Sequence, residues 1–369
     1  MEKVYLVVIV RKGKKGRNAG DILEEMRELI YSSRGNVIDS MIVRIDSPTP
    51  NYFLKKGKLF EIGERIKNLK PNSFITNVEL SPVQARNLST ALQCKIVDRT
   101  GLILDIFAQH AKSKDGKVQV ELAQLTYLLP RLSDIWEKFS RLGGGIGTRG
   151  PGEQMLEYDR RKVRRRIAKL HDDLERLKTH RALVRKSRQR KEFTVCSIVG
   201  YTNAGKSSLL RRLTGAQVIV EDKLFATLDP ITRAFELPHG KRILCTDTVG
   251  FLLDLPHSLI KSFHATLEEI TETDIVLVVL DCANPEYPLH YEVVQRTLKE
   301  INAQTKPQII ALNKVDMIPD EIREGIRRDF PDGIFISAKN GIGIDTLTER
   351  IEEGVARGEY KNSVTQKNE

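Results

Sequence analysis

A chain of 369 residues with 40% apolar and 30% charged side chains can bury two or three cores, which excludes an intrinsically disordered protein. Its longest apolar stretches, residues 4–10 and 275–280, are strand-length, and no basic-then-apolar leader opens the sequence, so a cytoplasmic location without stable membrane insertion is expected. Of the net charge of +11, +10 falls between residues 156 and 191, where 15 Lys and Arg accompany 5 Asp and Glu; such a stripe is the electrostatic footprint of a polyanion partner.

In chain order, strand-like runs at 4–10, 37–45, 74–78 and 95–98 alternate with helix-like runs at 19–33, 57–69, 82–92 and 102–111. This alternation predicts a small parallel α/β domain over residues 1–112. Asp98, Asp105 and His110 lie close in sequence and read as capping and surface residues. Cys94, Cys196, Cys245 and Cys282 have no metal-ligand spacing and read as buried thiols.

Residues 113–191 change period. Leu122, Leu125, Leu129, Leu132, Trp136 and Phe139 form one a/d seam, and Val163, Ile167, Leu170, Leu174 and Leu177 form a second. Two such helices in series bury their seams as an antiparallel hairpin, the second running roughly 50 Å at 1.5 Å per residue. A Gly-rich tip loop at 141–153 is expected between them. Within it, Gly145-x-Gly147-x-x-Gly150 matches the dinucleotide-binding pattern by accident, because a helical seam precedes it where a strand is required. A plain turn needs about two to eight residues. This longer loop carries Arg141 and Arg149 and leads into the most basic helix. With Arg164, Arg165 and Arg166 on that helix, they are the candidate RNA contacts.

From residue 193 the α/β alternation resumes, predicting a doubly wound, mostly parallel domain over 192–357 and a polar tail at 358–369. The strand-like run 193–199 is followed by Gly200-Tyr201-Thr202-Asn203-Ala204-Gly205-Lys206-Ser207 and a helix beginning with Ser208, the strand–loop–helix setting of a P-loop. Its backbone amides would cradle phosphates at a helix N-terminus, Lys206 would bridge the β- and γ-phosphates, and Ser207 would ligate Mg²⁺. Residues 242–246 end in Asp247-Thr248-Val249-Gly250, where Asp247 would hold Mg²⁺ through water and the Gly250 amide would sense the γ-phosphate. Asn313-Lys314-Val-Asp316 follows the run 308–312; its Asp carboxylate accepts guanine N1–H and N2–H₂, a donor pair adenine lacks. Ser337-Ala338-Lys339 follows 334–336 and offers a backbone amide to guanine O6. Each word alone is weak. Four in the correct order, each at a strand's carboxyl end, make a GTP/GDP site.

The first switch must add a Thr. The segment Leu224-Phe225-Ala226-Thr227-Leu-Asp-Pro-Ile-Thr232 is the candidate, with Thr227 preferred and Thr232 the alternative. Lys206, Thr227 and Gly250 are then the catalytic set. The residue after the Asp-x-x-Gly word, a water-orienting Gln in many small GTPases, is Phe251, which predicts slow hydrolysis that a partner accelerates. Asn203 recurs at this P-loop position in potassium-dependent GTPases, so K⁺ and a plain loop hydrogen bond both stay open for it.

Taken together, Gly200–Ser207, Leu-Phe-Ala-Thr-Leu-Asp-Pro, Asp-Thr-Val-Gly-Phe and Arg-Leu-Gly-Gly-Gly-Ile-Gly-Thr-Arg-Gly-Pro-Gly-Glu closely resemble the HflX family of ribosome-associated GTPases over nearly the whole chain. The resemblance implies Mg²⁺-dependent GTP hydrolysis stimulated by the ribosome, binding to the 50S subunit, and for some members splitting of stalled 70S ribosomes, with the hairpin tip reaching ribosomal RNA near the peptidyl transferase centre. A large-subunit assembly checkpoint is the alternative role. A switch acting on a protein or membrane partner is disfavoured by the seam on the basic helix. Some members use ATP through the N-terminal region, where residues 1–191 hold no second P-loop. A monomer without the C-terminal domain that family members often carry is expected.

Overall fold

The computed structural model describes residues 1–13, 17–140, 151–190, 193–215, 224, 225, 227–253, 267 and 269–356, giving the backbone alone along 132–140, 151–157 and 180–190. The chain divides into two compact units, Met1–Glu175 and Arg176–Glu369.

The first unit is built on four parallel strands in the order β2-β1-β3-β4: β1 Glu2–Arg11, β2 Gly35–Ile45, β3 Ser73–Thr76 and β4 Lys95–Val97. β1 is apolar and buried over six consecutive residues, which suits a central strand covered on both faces. The helices are α1 Ala19–Ser32, α2 Lys56–Leu69, α3 Pro82–Leu92 and α4 Arg99–His110. α3 starts from a Ser81/Gln84 capping box with proline in its first turn.

α1 and α4 share a buried ion cluster. Glu25 receives Arg17 at 2.5 Å and Arg99 at 2.6 Å, with all three side chains no more than 11% exposed. Burial raises the Glu25 pKa, but the charges and hydrogen bonds of Arg99 and Arg17 outweigh it and hold the carboxyl below its ordinary value. A lowered pKa contributes stability above the unfolded carboxyl value that is lost as pH falls through the folded one. Glu25→Gln, which leaves two buried cations facing a neutral amide, is expected to destabilise this unit by roughly 3 kcal/mol at pH 7. Hydrogen exchange in α1 and α4 at pH 7 measures the loss, and a series taken down through and below the lowered Glu25 pKa measures its disappearance in acid.

Asp98 does more than the capping the sequence suggests. It caps α4 through the Gly101 amide at 2.8 Å, but it also accepts the Tyr127 hydroxyl at 2.7 Å and Arg131 at 3.1 Å from α5, Lys114–Ser140. Arg131 lies 3.6 Å over the Tyr127 ring and donates to the Leu80 carbonyl at 2.8 Å, so one buried carboxylate roots α5 on the sheet. Among the described residues the hydrogen bonds of Asp105 and His110 are local: Gln109 donates to Asp105, and the His110 ring bonds the Ile106 carbonyl.

The second hairpin helix, α6, runs Pro151–Arg190. The expected loop 141–153 therefore overshoots by three residues, because proline at a first helical position loses no intrahelical hydrogen bond. At 40 residues α6 spans roughly 60 Å. Arg166 grips Glu121 through two hydrogen bonds, 2.6 and 2.7 Å, tying α6 to α5. Leu122 and Leu170 are buried on the facing seams, and Val163, Ile167, Leu174 and Leu177 are half-buried. The side chains of Leu132, Trp136 and Phe139 lie outside the described residues.

The second unit is a six-stranded sheet in the order β10-β9-β8-β5-β7-β6: β5 Thr194–Gly200, β6 Ile231–Glu236, β7 Arg242–Asp247, β8 Ile275–Asp281, β9 Gln308–Asn313 and β10 Ile334–Phe335. All pairs are parallel except the edge pair β6–β7. β6 is an element the sequence reading did not separate from the first switch, and it contains Thr232. The helices are α7 Lys206–Thr214, α8 Tyr287–Glu300, α9 Asp320–Asp329 and α10 Ile344–Ala356. The core gathers Ile198, Ile243, Leu277, Val279, Leu347 and Ile351, with Cys196 and Cys245 opposite each other on β5 and β7. All four cysteines are buried free thiols. Among the described residues no helix is long and apolar enough to cross a membrane.

Candidate functional site

β5 delivers the chain to Gly200 and α7 carries it away from Lys206, so the intervening loop sits at a strand's carboxyl end and a helix N-terminus. A Cβ on Gly200 would stand 2.3 Å from the Val279 carbonyl oxygen. Gly205 turns the loop into the helix at φ +93°, beside Asn203 at φ +61°. Beneath lies a cleft of about 600 Å³. It brings together Thr202, Asn203, Gly205, Lys206, Ser207 and Ser208 of the loop with Phe225 and Thr227, then Gly250, then Asn313, Lys314 and Asp316, and finally Ser337, Ala338 and Lys339. Gly200, Tyr201, Ala204, Asp247, Thr248 and Val249 stand behind that lining. Ala226 lies outside the described residues, as do Arg141 and Arg149. Two cleft residues, Arg211 and Met317, escaped the sequence reading because neither belongs to a motif.

At one end three oxygen-bearing side chains from three elements converge. Ser207 Oγ lies 2.6 Å from Asp247 Oδ2 and 2.9 Å from Thr227 Oγ1, and Thr227 donates to the same Asp247 oxygen at 3.0 Å. Thr232 is elsewhere, its hydroxyl 3.0 Å from that of Thr246 across the β6–β7 pair. Asp247 is fully buried, and its Oδ1 has no hydrogen-bond partner among the described residues. Burial pushes its carboxyl above the ordinary value, against the pull of the Lys206 charge and the two hydroxyls. Burial likewise pulls Lys206 down to about 8, opposed by the charge of Asp247. An orphaned, fully buried carboxylate oxygen beside two hydroxyls is a hard-oxygen donor set that fits a magnesium ion.

Gly250 closes the Lys206 end of the cleft. A Cβ there would meet Thr202 Cγ2 at 2.8 Å and Lys206 Nζ at 3.0 Å, so only glycine lets this backbone approach the loop. Phe251 is bridged into the loop, its amide donating to Gly200 O at 3.0 Å and its carbonyl accepting from Thr202 at 2.8 Å. Its ring is 1% exposed. Tyr201 also faces away from the cleft: it stacks on His290 with ring centroids 3.7 Å apart, and its hydroxyl accepts the Leu253 amide at 3.1 Å.

At the other end Asn313 acts as a bracket. Its Nδ2 donates to the Ala204 carbonyl at 2.8 Å while its Oδ1 accepts the Ala338 amide at 3.0 Å. Lys314, at φ +65°, pairs with Asp281 at 2.7 Å. Ser337 Oγ accepts the Asn340 amide at 3.1 Å, closing the turn that carries Ala338 and Lys339.

Known proteins carry the same parts in the same order. Residues 195–314 match the family model described as 50S ribosome-binding GTPase, residues 21–108 that of GTP-binding GTPase N-terminal, and residues 110–188 that of the GTP-binding GTPase middle region. A GTPase HflX from Caldanaerobacter subterraneus subsp. tengcongensis is 46% identical over 351 residues, covering 95% of this chain and 80% of its own. The chain belongs to the HflX family. The Escherichia coli K12 GTPase HflX is 42% identical over 342 residues, covering 91% of this chain and 80% of its own. A crystal structure of SsGBP in complex with GDP aligns at a TM-score of 0.53 and 27% identity, covering 97% of this chain and 99% of that one. As an HflX-family member the chain is a GTPase, hydrolysing GTP to GDP and phosphate.

Proposed function

We propose that this GTPase is a cytoplasmic, monomeric ribosome factor that binds the 50S subunit and splits or rescues stalled 70S ribosomes. In the cleft, Lys206 bridges the β- and γ-phosphates of GTP and the Gly250 amide meets the γ-phosphate. Ser207, Thr227 and, through water, Asp247 are the residues that would hold Mg²⁺, which supplies charge neutralisation at the phosphates when bound. Asn203 is the residue that would face a K⁺. Asp316 reads guanine N1–H and N2–H₂, and the turn at Ala338 and Lys339 reads O6. Phe251, fully buried, can orient no water, so hydrolysis waits for a partner.

The observation that carries the ribosome reading is the basic stripe of α6, where Arg164 and Arg165 are exposed. The matched 50S ribosome-binding family description supports it. Arg166, held by Glu121, serves the hairpin first. Arg164→Glu with Arg165→Glu is therefore expected to weaken binding to 50S subunits and lower the salt slope by about one per lost phosphate contact, with nucleotide affinity unchanged. Sucrose-gradient sedimentation with a non-hydrolysable GTP analogue measures this. Conversion of 70S into 50S and 30S supports splitting, binding only to precursor particles transfers the role to assembly, and absence of co-sedimentation overturns both.

A further inference from the structure

We infer that Arg212 is a positioning residue for guanine recognition, setting the peptide that reads the base O6. It belongs to no motif, does not line the cleft, and lies on α7, six residues after the P-loop lysine.

Its guanidinium acts as a fork. Nε donates to the Ala338 carbonyl at 3.1 Å and Nη2 to the Lys339 carbonyl. Two parallel donors on two successive carbonyls define an orientation as well as a distance, which a lysine ammonium does not. A trans peptide is planar, with its N–H directed opposite its C=O. Holding the Ala338 carbonyl on the Arg212 side therefore turns the Lys339 amide to the opposite side. The neighbouring Ala338 amide is already taken by Asn313 at 3.0 Å. The Lys339 amide is thus the one left to donate to a base carbonyl.

The P-loop helix consequently grips the base-reading turn directly, in parallel with the Asn313 bracket. Contacts to the phosphates, made at the start of α7, and contacts to the base, made by the turn, share one rigid element. This role rests on the assignment of Ser337, Ala338 and Lys339 to the O6 end of the base.

The experiment compares GDP with two analogues, using the full chain. Inosine diphosphate keeps O6 and N1–H but lacks the 2-amino group, so it reports Asp316. 6-Thioguanosine diphosphate keeps N1–H and the 2-amino group but offers a weak sulfur acceptor, so it reports the O6 contact. In Arg212→Met, GDP affinity is expected to fall about tenfold, the value of one charge-assisted clamp. The preference for GDP over the 6-thio analogue should collapse toward unity, and the preference for GDP over inosine diphosphate should stay as in the parent. Arg212→Lys should fall between the two. An equal loss for all three nucleotides, or unchanged GDP affinity, overturns the inference. A parent protein that prefers neither GDP over inosine diphosphate nor GDP over the 6-thio analogue overturns the base-site assignment itself.

Discussion

Gly205→Ala is expected to lower guanine-nucleotide affinity by about two orders of magnitude. The new Cβ would sit 2.3 Å from Asn313 Nδ2 at a residue with φ +93°. Forcing alanine into left-handed backbone costs about 1 kcal/mol. Displacing the Asn313 amide breaks its bond to Ala204 O, and with it the companion bond to the Ala338 amide, for about another 2 kcal/mol. Because the loop at Gly205 relaxes in the free variant and must regain this geometry to hold the nucleotide, some 3 kcal/mol corresponds to roughly a hundredfold in affinity. Gly215→Ala separates the two causes: its φ is +65°, but nothing lies within 4 Å of the added Cβ. That variant should lose about 1 kcal/mol of stability and keep its nucleotide affinity. Titration with a fluorescent GDP analogue measures both, and wild-type affinity in Gly205→Ala would show that the bracket is not part of the site.

Thr227→Ala is expected to slow Mg²⁺-dependent GTP hydrolysis by about 30- to 100-fold, since a hydroxyl facing a charged centre contributes about 2–3 kcal/mol. Thr227 belongs to the cluster with Ser207 and Asp247. Thr232→Ala, which removes a hydroxyl contact to Thr246 on an edge strand, should leave hydrolysis within about twofold of wild type and cost under about 1 kcal/mol of stability. Single-turnover hydrolysis at saturating Mg²⁺ decides between them. Collapse in Thr232→Ala with a neutral Thr227→Ala would move the first switch to the other threonine.

The α/β alternation, the hairpin seams and the four nucleotide words were legible because each is local. A P-loop needs glycine where the backbone turns left-handed or approaches a neighbour, and a lysine and serine at the next helix's first turn; all lie within eight residues. The strand boundaries follow from apolar runs that double burial demands, as in β1 and β8. The edge strand β6 was missed for the complementary reason: at the end of the sheet among the described residues and with half its residues exposed, it carries no apolar run.

What the sequence by itself determined is the set of candidates for the nucleotide chemistry: a P-loop pattern, acidic and hydroxyl groups of the kind a metal takes, an Asp proposed to read the base, and a phenylalanine at the position after the Asp-x-x-Gly word. What only the tertiary structure decided is which of these groups meet. Thr227 rather than Thr232 joins Ser207 and Asp247, Asn313 spans 109 residues to the Ala204 carbonyl, and Arg212 reaches 126 residues to hold the turn at Ala338. Asp98, a cap by sequence, became the root of α5 by the same route. Motif chemistry is encoded in neighbours along the chain, where dihedral preference and residue type suffice. Partner choice across a hundred residues depends on sheet order and register, which bring distant strand ends to one edge.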